Sequence, residues 1–332
     1  MNRDLQIDFL RFLGLSLVIV AHIQAPFTFT QIRSFDVPLM VFVSGLSASG
    51  KYITNYWQYL WKRTKRLIVP VWLFLAFYLT AFYIVQSLVL PEPYLTGRMI
   101  GRSFLLLDES IGYVWIIRVF LLIMIVTPPI VRMSQRIKSE SVFIFIVLSF
   151  LLLNQIAFQH ISSMSDDLFK NGLKDILIYG IAYSIPFVLG VRLKQANYNI
   201  LWLYFALFIL FFVLLGFNCY EAGNNPIGVS SGYKFPPRPY FIVYGSLVSI
   251  LLWTTRQWWG QIANNRFTAF VGQNTIWIYL WHMPFALIAT VFMDNWIIKY
   301  VFVYGLALLL FWMQYRIVSR LENKILKKYL LG

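Results

Sequence analysis

Long apolar stretches separated by short polar ones run through this chain of 332 residues and restrict it to a membrane fold. Hydrophobic residues make up 59% of the chain and charged residues 12%, against about 25% charged in soluble domains. Lipid can cover this much apolar surface, whereas a globular core cannot. The pattern predicts an all-α, polytopic membrane protein with about ten transmembrane helices in a single domain over residues 1–332. The stretches fall at 7–23, 35–50, 67–90, 112–131, 141–158, 174–191, 199–217, 239–255, 269–293 and 296–318.

The basic residues predict the orientation of these helices. If the N-terminus is cytoplasmic, 18 of the 28 Lys and Arg residues fall in cytoplasmic segments and eight in the opposite loops. This bias follows the positive-inside rule and places both termini in the cytoplasm. The net charge of +15 therefore indicates membrane topology and contact with lipid, and no nucleic-acid partner is expected.

Cysteine and histidine usage excludes two kinds of site. The single cysteine, Cys219, allows no internal disulfide and no thiolate metal site. The three histidines have no metal-ligand spacing, so we expect no metal.

Two polar residues interrupt the first apolar stretch. Arg11 and His22 are separated by ten residues, and on one continuous helix eleven steps make three turns plus about 20°. They would then share a face, roughly 16 Å apart along the axis. An arginine in a membrane helix indicates a functional site, and an imidazole is a suitable base at neutral pH. The pattern suits a long anionic cofactor whose reactive end reaches a base, although Arg11 could also pair with Asp8.

The motifs of the chain resemble those of the acyltransferase-3 family of membrane acyltransferases. "IDFLRFLGLSLVIVAH" and "FDVPLMVFVSGLSAS" resemble the opening of that family, with its Arg, ten residues and His, then a Ser-Gly pair. "RTKR" matches its Arg-x-x-Arg motif, and "VGQNTIWIYLWHMPF" its late Gly…Tyr-Leu-x-His-x-Pro segment. The residues that carry the resemblance are Arg11, His22, Ser44, Gly45, Arg63, Arg66, Pro70, Trp115, Gly272, Tyr279, His282 and Pro284.

The resemblance implies an enzyme of the bacterial plasma membrane that transfers acyl groups, commonly acetyl from acetyl-CoA. The acceptor would be a cell-surface glycan, and the chain looks most like the O-acetyltransferases of capsular polysaccharides and exopolysaccharides. His22 would be the general base, while Arg11, Arg63 and Arg66 would bind acyl-CoA, since paired guanidinium groups bind phosphate well. The basic run around Arg63 and Arg66 is also typical of an anchor at anionic lipid.

Asp36 is the carboxylate that could hold the second nitrogen of His22. It could equally be a helix-start carboxylate or the partner of Arg33. His282 is interpreted as a structural histidine that braces a helix disturbed by Pro284.

Two groups of residues are candidates for binding the acceptor. Trp115 and Arg118 share a helix face, although Arg118 could instead reach the membrane surface. Tyr233, Lys234 and Arg238 lie in the proline-rich segment "SSGYKFPPRPY", which suits a sugar or phosphate but could also be a rigid connector. The rival hypothesis is a glycan transporter or flippase, which would show inverted repeats that this sequence lacks. The sequence does not identify the acceptor glycan, and it does not determine whether the protein forms a homo-oligomer.

Overall fold

A computed structural model describes residues 4–51, 53–89, 95–107, 115–162, 164, 172–230 and 232–331. All regular elements among these residues are helical, which confirms the all-α fold class. Residue 90, residues 112–114 and Ser231, which belong to predicted helices and to the proline-rich segment, lie outside the described residues.

The helices follow the apolar stretches closely. In chain order they are α1 (Leu5–Val20), α2 (Phe27–Ile32), α3 (Asp36–Ala48), α4 (Tyr56–Val89), α5 (Gly97–Phe104), α6 (Trp115–Arg136), α7 (Glu140–Ser162), α8 (Ile181–Leu193), α9 (Tyr198–Glu221), α10 (Pro239–Thr254), α11 (Arg256–Ala263), α12 (Arg266–Gln273), α13 (Thr275–Phe292), α14 (Trp296–Ser319) and α15 (Lys324–Leu331). A π-helical stretch, Lys174–Gly180, runs directly into α8, and a 3₁₀ turn, Arg33–Phe35, joins α2 to α3.

Seven helical stretches among the described residues are long and apolar enough to cross a membrane. They are Tyr56–Leu88, Trp115–Arg136, Glu140–Ile161, Ile176–Leu193, Tyr198–Glu221, Thr275–Phe292 and Trp296–Ser319. The chain is thus a multi-pass membrane protein, but the predicted count of ten is not confirmed. The other three apolar stretches form α1, α3 and α10, with 16, 13 and 16 residues, which is short of the ~20 residues that a spanning helix needs.

The chain forms two compact units. The first comprises Met1–Val18, Pro26–Thr54 and Leu122–Gln273. Within it α3 packs along α8, and two glycines allow this close approach. A Cβ on Gly45 would lie 2.1 Å from the carbonyl oxygen of Phe187, and one on Gly190 would lie 2.1 Å from that of Phe42. The Ser-Gly pair of the sequence motif therefore includes a residue that lets two helix backbones touch.

The second unit comprises Ile19–Ala25, Asn55–Leu121 and Asn274–Gly332. Here α13 packs on α14 and on α4, and α15 packs on α14 and α4. The indole N–H groups of the two tryptophans of α13 donate hydrogen bonds within this unit. The indole of Trp281 donates to Gln314 at 2.6 Å, and that of Trp277 donates to the backbone carbonyl of Tyr329 at 3.0 Å. These contacts fix the orientation of α13, which also carries His282.

Candidate active site

His22 lies in the turn that follows the first helix. Because α1 ends at Val20, the prediction that Arg11 and His22 share the face of one helix is wrong. The backbone N–H of His22 donates to the carbonyl of Ile19 at 3.0 Å, which closes a tight turn where the helix stops. No residue type marks this end in the sequence, since the apolar run continues through Ile23. His22 is half-buried.

The ring of His22 is hydrogen-bonded to a second histidine. Nδ1 of His22 lies 3.0 Å from Nε2 of His282, and the ring centroids are 5.1 Å apart. His282 is fully buried on α13, and its Nδ1 contacts the backbone carbonyl of Tyr279. The two histidines are 260 positions apart in the chain.

This chain of contacts assigns the protons. A backbone carbonyl can only accept, so Nδ1 of His282 is the protonated nitrogen of that ring. Charging a fully buried imidazole is costly, so its Nε2 carries a lone pair and accepts from Nδ1–H of His22. The lone pair of His22 is therefore on Nε2. The arrangement fixes one tautomer, in which Nε2 is the basic nitrogen of His22.

His282 is thus more than the structural histidine that the sequence indicated. Tyr279 and His282, both in the late motif, together orient His22. The motif contains both residues, but only the fold places His282 beside His22.

A buried lysine lies at the turn that carries His22. Lys299 of α14 is 3% exposed, and its ammonium donates to Oε1 of Gln24 at 2.6 Å. Gln24 has φ of 56°, a left-handed conformation that is uncommon for a residue other than glycine. Lys299 therefore fixes a strained turn two residues after His22.

Arg11 has partners in the first unit. Its Nη1 donates to Oδ1 of Asp8 at 2.9 Å, and its Nη2 donates to Oγ of Ser47 at 2.7 Å. The pairing with Asp8 is the alternative that sequence spacing offered, and the structure shows it. Asp8 is buried, and a Cβ on Gly272 would lie 2.0 Å from its carbonyl oxygen, so α12 packs against α1 at this point.

Asp36 lies in a buried cluster of charges. It pairs with Arg33 at 2.5 Å, and the ammonium of Lys234 lies 3.5 Å from its other oxygen. Burial lowers the pKa of Lys234, and the charge of Arg33 lowers it further, while Asp36 opposes both effects. The pairing of Asp36 with Arg33 was one of the sequence interpretations. Its role in orienting His22 stays a prediction, and the structure shows His282 bonded to Nδ1 of His22.

Arg238 of the proline-rich segment makes cation–aromatic contacts. The guanidinium of Arg238 lies 4.1 Å from the ring centre of Phe158 and 5.5 Å from that of Tyr233. Tyr233 and Lys234 are both buried, so packing covers much of the surface that the sequence assigned to the acceptor.

Four predicted site residues lie on helices of the second unit. Arg63 and Arg66 are on α4, where Arg63 lies over the ring of Tyr59 at 5.7 Å and Arg66 is exposed. Trp115 and Arg118 begin α6, three positions apart and half-buried. Their ligand roles stay predictions.

The comparisons with known proteins identify the class of protein. A family model described as an acyltransferase domain, that of the acyltransferase-3 family, matches residues 4–316. The chain belongs to the acyltransferase-3 family, and with its helices it is a multi-pass membrane acyltransferase. The nodulation protein NolL of Mesorhizobium japonicum is 25% identical over 316 residues, which cover 84% of this chain and 75% of that protein. No solved structure matches the chain.

Proposed function

We propose that this protein is an O-acetyltransferase of the bacterial plasma membrane. It moves acetyl from cytoplasmic acetyl-CoA to a hydroxyl of a capsular or lipid-linked polysaccharide. The observation that supports this most is the hydrogen bond from His22 to the buried His282, because it prepares one nitrogen of His22 as a general base. We assign the role of orienting His22 to His282 in place of Asp36.

The proposed reaction needs one proton acceptor. Nε2 of His22 takes the proton of the sugar hydroxyl as the oxygen attacks the thioester carbonyl carbon. The carbon–sulfur bond then breaks, and the CoA sulfur leaves and takes the proton from His22. The hydrogen bond between Nδ1 of His22 and His282 persists throughout, so the ring keeps its orientation while its charge changes.

Other residues receive binding roles in this proposal. Arg11, Arg63 and Arg66 bind the anionic acyl-CoA, while Trp115 and Arg118 contact the glycan. In the proline-rich segment the half-buried Arg238 is assigned to the acceptor. The buried Tyr233 and Lys234 hold the segment in place, Lys234 through the charge cluster around Asp36. Arg11 keeps its contacts with Asp8 and Ser47 at rest.

Transfer of radiolabelled acetyl from acetyl-CoA to a mixed surface-glycan acceptor tests the proposal. The full chain is reconstituted in vesicles as wild type, His22→Ala and His160→Ala. His160 is an exposed histidine at the end of α7 and serves as the matched control. We expect label in glycan with wild type and His160→Ala, and a loss of about 100-fold or more with His22→Ala, as for removal of a general base.

Stabilisation by CoA, measured as the rise in Tm, checks that His22→Ala still folds and binds the donor. Wild-type turnover by His22→Ala would refute the assignment of the base. Absence of both transfer and CoA binding in the wild type would favour the transporter hypothesis instead.

A further inference from the structure

A cleft with basic walls lies at the C-terminal end of α6. It has a volume of about 440 Å³. Its lining residues come from the connection between α3 and α4 and from the last turns of α6, all in the first unit. They are Lys51, Ile53, Thr54, Pro128, Val131, Arg132, Gln135 and Arg136. This volume falls in the range of about 300–1,000 Å³ that is usual for small-molecule sites.

The charge of the cleft has one sign. Lys51, Arg132 and Arg136 line it, and its described lining residues include no carboxylate. Arg132 and Arg136 are four positions apart, so they lie on one face of α6 as neighbours, and such a pair of like charges destabilises a helix. An anion between them would offset this repulsion.

Arg132 and Arg136 are not needed as donors to the carbonyls at the C-terminal end of α6, because Arg192 of α8 donates to carbonyls there. Its guanidinium donates to the carbonyls of Ile137 at 2.7 Å, Lys138 at 3.2 Å and Ser134 at 3.3 Å, and pairs with Glu140 at 2.5 Å. The carbonyl of Ser134, in the last turn of α6, and those of the two residues that follow the helix thus accept hydrogen bonds from another helix.

One arginine of the cleft is held in position by the backbone. Nη2 of Arg132 donates to the carbonyl of Ile53 at 3.1 Å, which joins the two walls. A guanidinium has five N–H groups, so most of those on Arg132 stay available to a ligand. Gln135 and Thr54 add an amide and a hydroxyl for uncharged polar groups.

We propose that this cleft binds the 3′-phosphate of CoA and the adenosine that carries it. This inference rests on the proposed function and leaves the diphosphate to Arg63 and Arg66. Arginine pairs bind phosphate oxygens bidentately, and Lys51, Arg132 and Arg136 supply three cations for the phosphomonoester. The polar side chains of Gln135 and Thr54 favour a nucleotide over the headgroup of an anionic lipid.

Calorimetric titration of the purified full chain in detergent with CoA and with dephospho-CoA tests the inference. The variants are Arg132→Gln/Arg136→Gln and, as a matched control, Arg316→Gln/Arg320→Gln. The control pair has the same spacing and charge change at the end of α14, and the sequence places both pairs on the cytoplasmic side. We expect the cleft variant to bind CoA about tenfold more weakly and the control variant to bind as wild type does. Removal of the 3′-phosphate should weaken binding to wild type more than to the cleft variant.

The single variant Arg136→Gln keeps the Arg132–Ile53 contact, so it remains informative if the double variant fails to fold. It should weaken CoA binding by a smaller factor than the double variant does. If wild type binds CoA and both cleft variants bind it equally well, the inference is wrong and the proposed function stands. If wild type binds no CoA, both fail. If the variants lose only stabilisation by phosphatidylglycerol in nanodiscs, the cleft is a lipid site and the inference is overturned.

Discussion

Arg11 and His22 belong to the same short motif, yet their surroundings are built in different ways. Arg11 pairs with Asp8, one helical turn away, and with Ser47 of α3. His22 bonds to a histidine 260 positions away, which is itself held by the carbonyl of Tyr279. Arg11 is held mainly by local sequence, whereas His22 depends on the folding of α13. Removal of distant partners should therefore impair His22 far more than Arg11.

The largest effect should come from His282. His282→Leu removes the acceptor for Nδ1–H of His22, so the proposed base loses its fixed tautomer. We expect kcat to fall about 10–100-fold, as is typical when a group that orients a functional histidine is removed. The KM for acetyl-CoA should stay unchanged. His282→Gln should restore part of kcat, because its carbonyl oxygen can accept the same hydrogen bond. Steady-state kinetics of both variants measure this, and equal activity of Leu and Gln variants would reduce His282 to a packing role.

Lys299 should have an intermediate effect. Lys299→Met removes the bond to Gln24 that fixes the turn of His22, and we expect kcat to fall about tenfold, the loss given by one charged hydrogen bond. The Tm should not fall, because the variant also relieves the burial of a charge. A fall in Tm with unchanged kcat would show that Lys299 supports the fold alone.

The smallest effect should come from the matching change beside Arg11. Ser47→Ala removes one hydrogen bond of Arg11 but leaves its ion pair with Asp8. We expect a loss of about 1 kcal/mol in the free energy of unfolding and at most about a twofold rise in KM for acetyl-CoA. Denaturant unfolding and initial rates check this. A loss of kcat as large as that of His282→Leu would remove the distinction between the two regions.

Local pairs could be predicted from the sequence. The contacts of Arg11 with Asp8 and of Arg33 with Asp36 both have a spacing of three residues, and both form. The all-α fold and the membrane helices followed from hydropathy alone. Family motifs also pointed to His22 and His282 as separate residues.

The long-range features could not be predicted. The end of α1 at Val20 is hidden because apolar residues continue past it, so periodicity kept His22 on the helix. The contacts of His22 with His282 and of Gln24 with Lys299 join segments more than 250 residues apart, and nothing in a single sequence records such a pairing. The cleft at Arg132 likewise requires α6 to meet the segment at Ile53.

The glycine contact between α3 and α8 limits how this enzyme can change over evolution. At Gly45 and at Gly190, backbone atoms of the other helix lie where a Cβ would be. In an ordinary core, a larger residue on one helix can be matched by a smaller one on its partner. No residue is smaller than glycine, so a second mutation at either position cannot compensate for the first. A recombinant enzyme that takes α3 from one homologue and α8 from another therefore keeps this close approach only if the first supplies Gly45 and the second supplies Gly190.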